Sequence, residues 1–266
     1  MSGLQGKVVL LTGASEGIGR ELAKQLVASG ANLMMAARNL ERLYQLYGEM
    51  DGGEQVRVCG CDVSDQQQCQ NLVAMTLKEF GCIDVVINNA GITMWSRFDD
   101  TQDLSIFENL MRVNYLGAVY LTHAALPCLK TAKGQVVAIA SVAGLTGVPS
   151  RTGYAASKHA MIGFFDSLRI ELKQDGVDVT VICPDFVVSE IHKRAIGADG
   201  QPLGDSPMQE AKIMTAEQCA RLSIEAIAKR QRLLVTSLRG RLGRWFKLLA
   251  PRFIDHLADK AIRDRH

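Results

Sequence analysis

The sequence predicts an α/β protein built on one doubly wound parallel sheet of about seven strands flanked by helices. Seven short segments rich in Val, Leu, Ile and Met alternate with amphipathic segments of helical length. The short segments are nearly continuous apolar runs, which is typical of parallel strands covered by helices on both faces. No internal repeat or linker divides the 266 residues, so this alternation favours a single domain.

The elements are expected in the following order along the chain. The predicted strands are Lys7–Thr12, Asn32–Ala37, Gln55–Gly60, Asp84–Asn88, Gln135–Ser141, Asp178–Cys183 and Leu233–Ser237. Longer segments between them carry apolar residues at intervals of three or four, as an amphipathic helix does. The predicted helices are Ile18–Ser29, Gln66–Phe80, Asn114–Ala132, Gly153–Gln174 and Thr215–Arg230.

Two segments depart from the alternation. The stretch from Asp185 to Met214 is long and rich in glycine and proline, and its position after a strand favours a lid. From Arg239 onward, apolar residues recur at helical intervals among basic ones, and Pro251 is expected to end or kink that helix. We therefore expect a catalytic domain over residues 1–238 and a basic, amphipathic C-terminal helical extension of it over 239–266.

Composition and charge narrow the function classes. With 47% hydrophobic and 22% charged residues, the composition is that of an ordinary soluble globular protein. The net charge is +2, but residues 239–266 carry +5 and the rest of the chain −3. An anionic partner would therefore be expected to bind the extension and not the rest of the surface. Nucleic-acid binding has no support beyond this charge. No apolar run approaches the ~18 residues of a membrane span, and the start of the chain resembles no secretory signal.

The cysteines indicate a reducing compartment and no metal centre. Their number, seven, is odd, and most lie in apolar strand-like or helix-like segments, unlike the paired framework of a small secreted fold. Cys59 and Cys61 have no second Cys/His pair at zinc-site spacing, so we expect them to be structural. A cytoplasmic protein without a metal site is the expectation.

A glycine-rich turn joins the first predicted strand to the first helix. It reads Thr12-Gly13-Ala14-Ser15-Glu16-Gly17-Ile18-Gly19. Glycines at a strand-to-helix turn let the backbone approach a pyrophosphate, and the free N–H groups of the helix attract its charge. The spacing G-x-x-x-G-x-G is one residue longer than the usual G-x-G-x-x-G of dinucleotide-binding folds.

Tyr154 and Lys158 stand four residues apart in a predicted helix and so share one of its faces. The positive charge of the lysine favours the ionised phenol, which would make the tyrosine a useful proton donor or acceptor. A pair at this spacing also arises by chance on a solvent-exposed helix, so the pair alone does not decide the function.

Together these motifs resemble the short-chain dehydrogenases/reductases, in their single-domain branch. The resemblance spans about Leu4 to Val235. It comprises the turn TGASEGIG, Asn88-Asn89-Ala90-Gly91 after the fourth strand, and Asn114, Ser141, Tyr154 and Lys158 in order, with 13 positions from the serine to the tyrosine. The resemblance implies a Rossmann-like fold and a nicotinamide cofactor.

The resemblance also implies catalytic roles. Tyr154 would exchange a proton with the substrate oxygen, and Lys158 would hold the nicotinamide ribose and act on the phenol. Ser141 would hydrogen-bond the oxyanion, and Asn114 would position a water that relays protons to Lys158. Taken singly, the serine could be an ordinary strand end and the asparagine a helix N-cap.

The second strand indicates which cofactor is used. It ends in Ala37-Arg38-Asn39, where an arginine suits the 2′-phosphate of NADP(H) and the acid expected for NAD(H) is missing, so NAD(H) is the less favoured choice. Glu16 stands where many NADP-using relatives carry a basic residue, and Asp185 replaces a glycine of the family motif after the sixth strand. The implied cofactor-binding residues are Gly13, Ser15, Glu16, Gly17, Ile18, Gly19, Arg38, Asp62, Val63, Asn89, Ala90, Gly91, Tyr154, Lys158, Pro184, Val187 and Ser189.

The substrate pocket is expected to be apolar. Its candidate residues, which could equally belong to the core, are Trp95, Leu145, Val148, Phe186, Ile191, Ile196 and Met214. They favour a hydrophobic carbonyl or alcohol of steroid, retinoid or fatty-chain type. Alternatives are a 3-oxoacyl-[acyl carrier protein] reductase and a non-catalytic NADPH-binding regulator, although the latter would not need the four filled catalytic positions.

Two further expectations concern contacts with other surfaces. The basic extension reads either as a helix at a membrane surface, which would make the cytoplasmic protein peripheral, or as one that packs over the pocket or on another subunit. The resemblance implies a homodimer or homotetramer formed through the helices that start near Asn114 and Gly153.

Overall fold

Seven parallel strands form one sheet in the computed structural model of the protein, which describes residues 3–50, 52–207 and 213–263. The strands are β1 (Val8–Thr12), β2 (Asn32–Ala37), β3 (Val56–Gly60), β4 (Val85–Asn88), β5 (Gln135–Ile139), β6 (Asp178–Cys183) and β7 (Leu233–Val235). Their order is β3-β2-β1-β4-β5-β6-β7. The order reverses between β1 and β4, where doubly wound sheets form a crevice beyond the carboxyl ends of the strands. The predicted fold class is confirmed.

Helices cover both faces of the sheet. They are α1 (Gly17–Ala28), α2 (Leu40–Met50), α3 (Gln66–Phe80), α4 (Ser105–Met111), α5 (Gly117–Ala132), α6 (Thr152–Glu171), α7 (Ala216–Ala228), α8 (Leu238–Leu249) and α9 (Pro251–Arg263). Successive strand residues point to opposite faces: Leu10 packs with side chains of α3, α5 and α6, whereas Leu11 packs with those of α1, α2 and α7. Within the described residues, every helix is too short or too polar to span a bilayer.

Most predicted bounds hold within one or two residues, and the larger differences have local causes. The predicted helix Asn114–Ala132 begins inside a π-helical turn over Arg112–Leu116, so Asn114 lies before α5 rather than at its start. β5 ends at Ile139 because Ser141 already caps the short 3₁₀ turn that follows. β7 is likewise shorter than predicted, since Ser237 caps α8. Helices α2 and α4 were not among those predicted.

The predicted lid is an irregular segment that crosses the carboxyl edge of the sheet. Isolated bridges join Ile196 to Met94 and to Pro202, and Val187 to Met214. Residues 208–212 of this segment and 264–266 of the extension lie outside the described residues.

Candidate active site

A cavity of about 930 Å³ lies at the carboxyl ends of the strands and runs from the glycine-rich turn to the C-terminal helices. All the cofactor-binding residues that the resemblance implies line it. So do three of the four catalytic candidates, Ser141, Tyr154 and Lys158. The fourth, Asn114, is fully buried directly behind this wall.

The glycine-rich turn is held against the end of β4 by hydrogen bonds. The Asn89 side-chain amide donates to the carbonyl oxygens of Thr12 and Gly13, both at 3.0 Å. Gly13 adopts a φ of +65°. A Cβ atom on Gly19 would stand 2.0 Å from the Gly13 carbonyl oxygen, so only glycine allows this close approach. The turn thus presents the N-terminus of α1 to the cavity, as a pyrophosphate site requires.

Lys158 and Tyr154 project from α6 toward the same space. The Lys158 amine donates to the carbonyl oxygen of Ile139 at 2.9 Å and lies 5.8 Å from the centre of the Tyr154 ring. Because the amine is buried, its pKa is lowered from the ordinary 10.5. The arrangement places a lysine of reduced basicity one helical turn from a phenol at the cavity wall.

The π-helical turn before α5 fixes Asn114 beside Lys158. The Asn114 Oδ1 atom accepts from the Ile92 backbone N–H at 2.8 Å, and Nδ2 donates to the Ile92 carbonyl and to Ser157 Oγ. A Cβ atom on Gly91 would lie 3.2 Å from Asn114 Oδ1 and 3.6 Å from Lys158 Nζ. Asn114 therefore serves at least to hold the loop after β4, and its side chain is no N-cap.

Ser141 stands where β5 gives way to the 3₁₀ turn. Its hydroxyl accepts from the Ala143 backbone N–H at 3.1 Å and is 3.4 Å from the Pro184 carbonyl oxygen, to which it donates. The long second contact leaves the hydroxyl proton free to turn toward a stronger acceptor in the cavity.

Sequence reasoning missed Arg151, three residues before Tyr154. Its guanidinium lies 4.2 Å from the centre of the Tyr154 ring and 5.7 Å from the rings of both Trp95 and Phe186. Only 4% of the residue is exposed, and Nη2 donates to Thr93 Oγ1 at 2.6 Å. Nothing in the local sequence pattern separates this buried arginine from a surface arginine.

At the other end of the cavity, Glu16 engages two arginines. Its carboxylate accepts from Arg42 Nη1 at 2.7 Å and from Arg194 Nη1 at 2.6 Å. Arg38 also lines this end and is exposed. Glu16, which stands where many NADP-using relatives carry a basic residue, is thus paired with one arginine of α2 and one of the lid.

The predicted substrate residues separate into two groups. Leu145, Val148, Phe186 and Ile191 line the cavity. The other three do not, so their assignment to the pocket is wrong. Trp95 is buried in a small cluster with Ala195, Ile196 packs against the cluster that includes Tyr154, and Met214 bridges to Val187. Trp95 is thus a core residue, whereas Ile196 and Met214 are half-buried and engaged in contacts of the lid.

Side chains of α8 and α9 complete the apolar part of the cavity. The residues that these helices contribute include Leu242, Phe246, Phe253, Ile254 and Leu257. Of the arrangements considered for the extension, packing over the pocket is therefore realised in the structure.

Fold and site together define a nicotinamide-dependent oxidoreductase of the Rossmann-like class. The family model described as short chain dehydrogenase matches residues 7–198. The chain belongs to the short-chain dehydrogenase/reductase family, whose members use a nicotinamide dinucleotide.

Named relatives and a solved structure agree. The chain is 35% identical over 270 residues to dehydrogenase/reductase SDR family member 7B of Mus musculus, covering 98% of this chain and 83% of the relative. It is 33% identical over 261 residues to 11-beta-hydroxysteroid dehydrogenase 1A of Arabidopsis thaliana, covering 95% and 74%. A short chain dehydrogenase/reductase from Burkholderia phymatum, solved in complex with NAD, superimposes with a TM-score of 0.80 at 26% identity, covering 94% of this chain and 96% of that one.

Proposed function

We propose that the protein interconverts a carbonyl and an alcohol on a hydrophobic substrate of steroid, retinoid or fatty-chain type, with NADP(H) as the cofactor. The observation that carries the proposal is one continuous cavity. Its walls include the glycine-rich turn at one end, Ser141, Tyr154 and Lys158 in the middle, and apolar side chains of the lid and of α8 and α9 at the other.

The residues present fit a dinucleotide. Gly13 and Gly19 leave the backbone space that a Cβ atom would fill, and the N-terminus of α1 offers N–H groups to a pyrophosphate. Asp62, whose carboxylate also accepts from Ser64, lines the cavity where the resemblance implies an adenine contact. When bound, the nicotinamide supplies or accepts the hydride.

The chain's own residues would transfer the proton and stabilise the charges that form during the transfer. Tyr154 would donate its hydroxyl proton to the carbonyl oxygen, or accept it in the reverse direction. Ser141 would donate a hydrogen bond to the same oxygen as negative charge develops there. Lys158, buried and bound to the Ile139 carbonyl, would stabilise the ionised phenol left by proton transfer.

NADP(H) is favoured by the charges at the adenosine end. Arg38 follows β2 at the cavity wall, and Arg42 lies in the first turn of α2, four positions later. An arginine at this place suits a 2′-phosphate, whereas NAD-binding sites of this fold place a carboxylate there to hold the free 2′-hydroxyl. The solved relative from Burkholderia phymatum has NAD bound, so the cofactor choice of this chain calls for a direct comparison of NADP(H) with NAD(H).

A panel of ketones and alcohols, each assayed with NADP(H) and with NAD(H) by the absorbance of the reduced nicotinamide, tests the proposal. We expect turnover of lipophilic carbonyls, faster with NADPH. Tyr154→Phe should lower kcat at least a hundredfold, since it removes a general acid, whereas Tyr44→Phe, on the exposed face of α2, should not. Fast turnover of polyols with none of lipophilic ketones would contradict the substrate class. A preference for 3-oxoacyl thioesters on acyl carrier protein would favour the alternative reductase.

We also propose that the protein is cytoplasmic and touches membrane surfaces through its C-terminal helices. Leu248 and Leu249 are 73% and 82% exposed, and Trp245 lies beside them among basic residues. Such a face suits the interface of an anionic bilayer. Co-sedimentation with vesicles containing phosphatidylserine should exceed that with neutral vesicles, and Leu248→Ser/Leu249→Ser should reduce both. Equal partitioning of the unmodified protein and the double serine variant onto the vesicles would contradict the proposed membrane contact.

Members of the family usually oligomerise, and we propose a homodimer or homotetramer formed through α5 and α6. Support comes from Ile170 of α6, which is apolar and 76% exposed in the isolated chain. Light scattering after gel filtration measures the mass, and Ile170→Glu should shift it toward the monomer. A mass of one chain for the unmodified protein would contradict the proposal.

A further inference from the structure

The residue that replaces the family's glycine after β6, Asp185, contacts the start of the C-terminal helices. We propose that the Asp185–Arg239 contact fixes α8 and α9 as a cover over the apolar part of the cavity, and thereby sets a preference for long apolar substrates. Asp185 acts here as a positioning residue. The inference rests on the carbonyl–alcohol activity proposed above and adds a determinant of its substrate class.

The carboxylate of Asp185 gathers several donors. Its Oδ2 accepts from Ser237 Oγ at 2.6 Å, and its Oδ1 accepts from Arg239 Nη2 at 2.7 Å and from the Phe186 backbone N–H at 2.9 Å. The Asp185 side chain is only 13% exposed, so these charge-assisted bonds are partly shielded from water. Glycine could make none of the side-chain contacts.

The backbone at this position needs no glycine. Asp185 has no positive φ, whereas nine glycines of the described chain do. Its backbone N–H donates to Thr236 Oγ1 at 3.0 Å, which ties the end of β6 to the end of β7. The replacement therefore requires no left-handed backbone conformation, and it adds a carboxylate where the extension begins.

The contact with Asp185 also sets the first turn of α8. Ser237, which donates to Asp185, is the N-cap of that helix and accepts from the Gly240 backbone N–H at 3.0 Å. A Cβ atom on Gly240 would lie 2.8 Å from Val142 Cγ2 and 2.9 Å from Val235 Cγ1. The helix thus starts in close contact with the rim of the cavity.

A second anchor lies near the far end of α8. Lys247 Nζ donates to the Leu145 carbonyl oxygen at 3.2 Å, at the end of the 3₁₀ turn that begins with Val142. Between the two anchors, Phe246 packs edge-on against Phe253 of α9, with ring centres 6.2 Å apart. The apolar side chains that the pair of helices turns to the cavity are Leu242, Phe246, Phe253, Ile254 and Leu257.

These contacts predict a division between short and long substrates. A small ketone would need only the chamber around Tyr154 and Ser141. A long apolar group would extend under α8 and α9, and its burial there would strengthen binding in proportion to the apolar area covered. Loosening the cover should weaken binding of the long substrate and leave the chemistry intact.

Steady-state kinetics of Arg239→Met, Asp185→Asn and the double variant test this division. Because Arg239 is 61% exposed, the contact is discounted for solvent, and we expect KM for a long-chain ketone to rise about fivefold in each variant. In Arg239→Met, kcat for a short ketone should change less than twofold. The double variant should match the single ones, because all three remove one contact.

Arg252→Met is the matched control, since it removes a positive charge from α9 outside this contact, and its KM values should equal those of the unmodified protein. Equal changes of KM for short and long ketones in Arg239→Met and Asp185→Asn, or additive effects in the double variant, would overturn the proposal.

Hydrogen exchange separates this proposal from the proposed activity. Amides of residues 238–263 should exchange faster in Arg239→Met and Asp185→Asn than in Arg252→Met, with or without any turnover. If no carbonyl is reduced but exchange rises, the activity is wrong and the contact stands. If carbonyls are reduced and neither exchange nor the KM ratio changes, the contact does not fix the cover.

Discussion

Replacing Glu16 by glutamine should increase the preference for NADPH over NADH. The glutamate holds Arg42 at 2.7 Å and Arg194 at 2.6 Å, and its own charge stands at the cavity wall near Arg38. Glutamine keeps the shape and removes the charge. Arg42 is then released to meet a phosphate, and the repulsion between the carboxylate and that phosphate disappears.

The expected size follows from the exposure of these groups. Their side chains are 31% to 44% exposed, so water screens their interactions strongly. At the dielectric constant of water, a charge of −1 and a phosphate of about −2 would repel each other by roughly 1 kcal/mol if they lay about 7 Å apart. Removing it should tighten NADPH binding about fivefold, with little change for NADH. Loss of the two exposed ion pairs should lower the free energy of unfolding by less than about 1 kcal/mol.

Fluorescence titration of each reduced cofactor, at low and high salt, measures the effect. The gain for NADPH should shrink at high salt, because exposed charges are screened. Glu21→Gln is the matched control: this carboxylate lies on α1, five positions after Glu16, and pairs with Lys24 at 3.2 Å, but it does not line the cavity. An unchanged affinity ratio in Glu16→Gln, or an equal shift in Glu21→Gln, would refute the assignment of Glu16 to cofactor choice.

Three further substitutions test the site. Gly19→Ala would put Cβ 2.0 Å from the Gly13 carbonyl oxygen, so the affinity for NADPH should fall at least about tenfold. Addition of NADPH should then no longer raise the Tm of the protein. Asn114→Ala leaves the Ile92 N–H and carbonyl without their side-chain partner, and should lower the unfolding free energy in urea by about 3 kcal/mol. Lys158→Met removes a buried amine whose pKa is lowered from 10.5, and should raise the free energy of unfolding most at pH values well below 10.5.

The sign of the lysine effect follows from linkage. Burial lowers the pKa of Lys158 in the folded chain, so the unfolded chain binds the proton more tightly and the unmodified protein gains stability as pH rises toward 10.5. The difference in unfolding free energy between Lys158→Met and the unmodified protein should therefore shrink as the pH rises toward 10.5. A difference that stays constant or grows would contradict this account of the lysine. Gly48→Ala, where nothing lies within 4 Å of the added atom, controls for the alanine substitution and should leave NADPH binding unchanged.

The sheet and the cofactor end of the cavity could be predicted because their signals are local. Parallel strands covered on both faces need continuous apolar runs, and the close approach at Gly19 admits one residue type. Spacing alone then places Tyr154 and Lys158 on one face of a helix. The π-helical turn around Asn114 could not be predicted, because its register depends on side-chain bonds to Ile92, a residue 22 positions away.

The substrate end could not be read from the sequence because apolar residues serve pocket and core alike. Trp95 and Ile196 were expected in the pocket, yet the lid joins their backbones, with the Trp95 N–H donating to the Ile196 carbonyl at 2.9 Å. Arg151 escaped notice for the opposite reason. A charged residue is seldom buried, and the position of Arg151 follows from its contacts in the folded chain, among them the rings of Tyr154 and Phe186 around its guanidinium.

The C-terminal helices show why one pattern allowed several interpretations. A helix that covers a lipophilic cavity needs an apolar inner side, and one that meets a bilayer needs an apolar outer side. Here Leu242 and Phe246 line the cavity while Leu248 and Leu249 point outward, so α8 carries both. A substrate dissolved in a bilayer would then meet the cover before the catalytic groups. Loosening the Asp185–Arg239 contact should for that reason raise KM for long substrates more than for short ones.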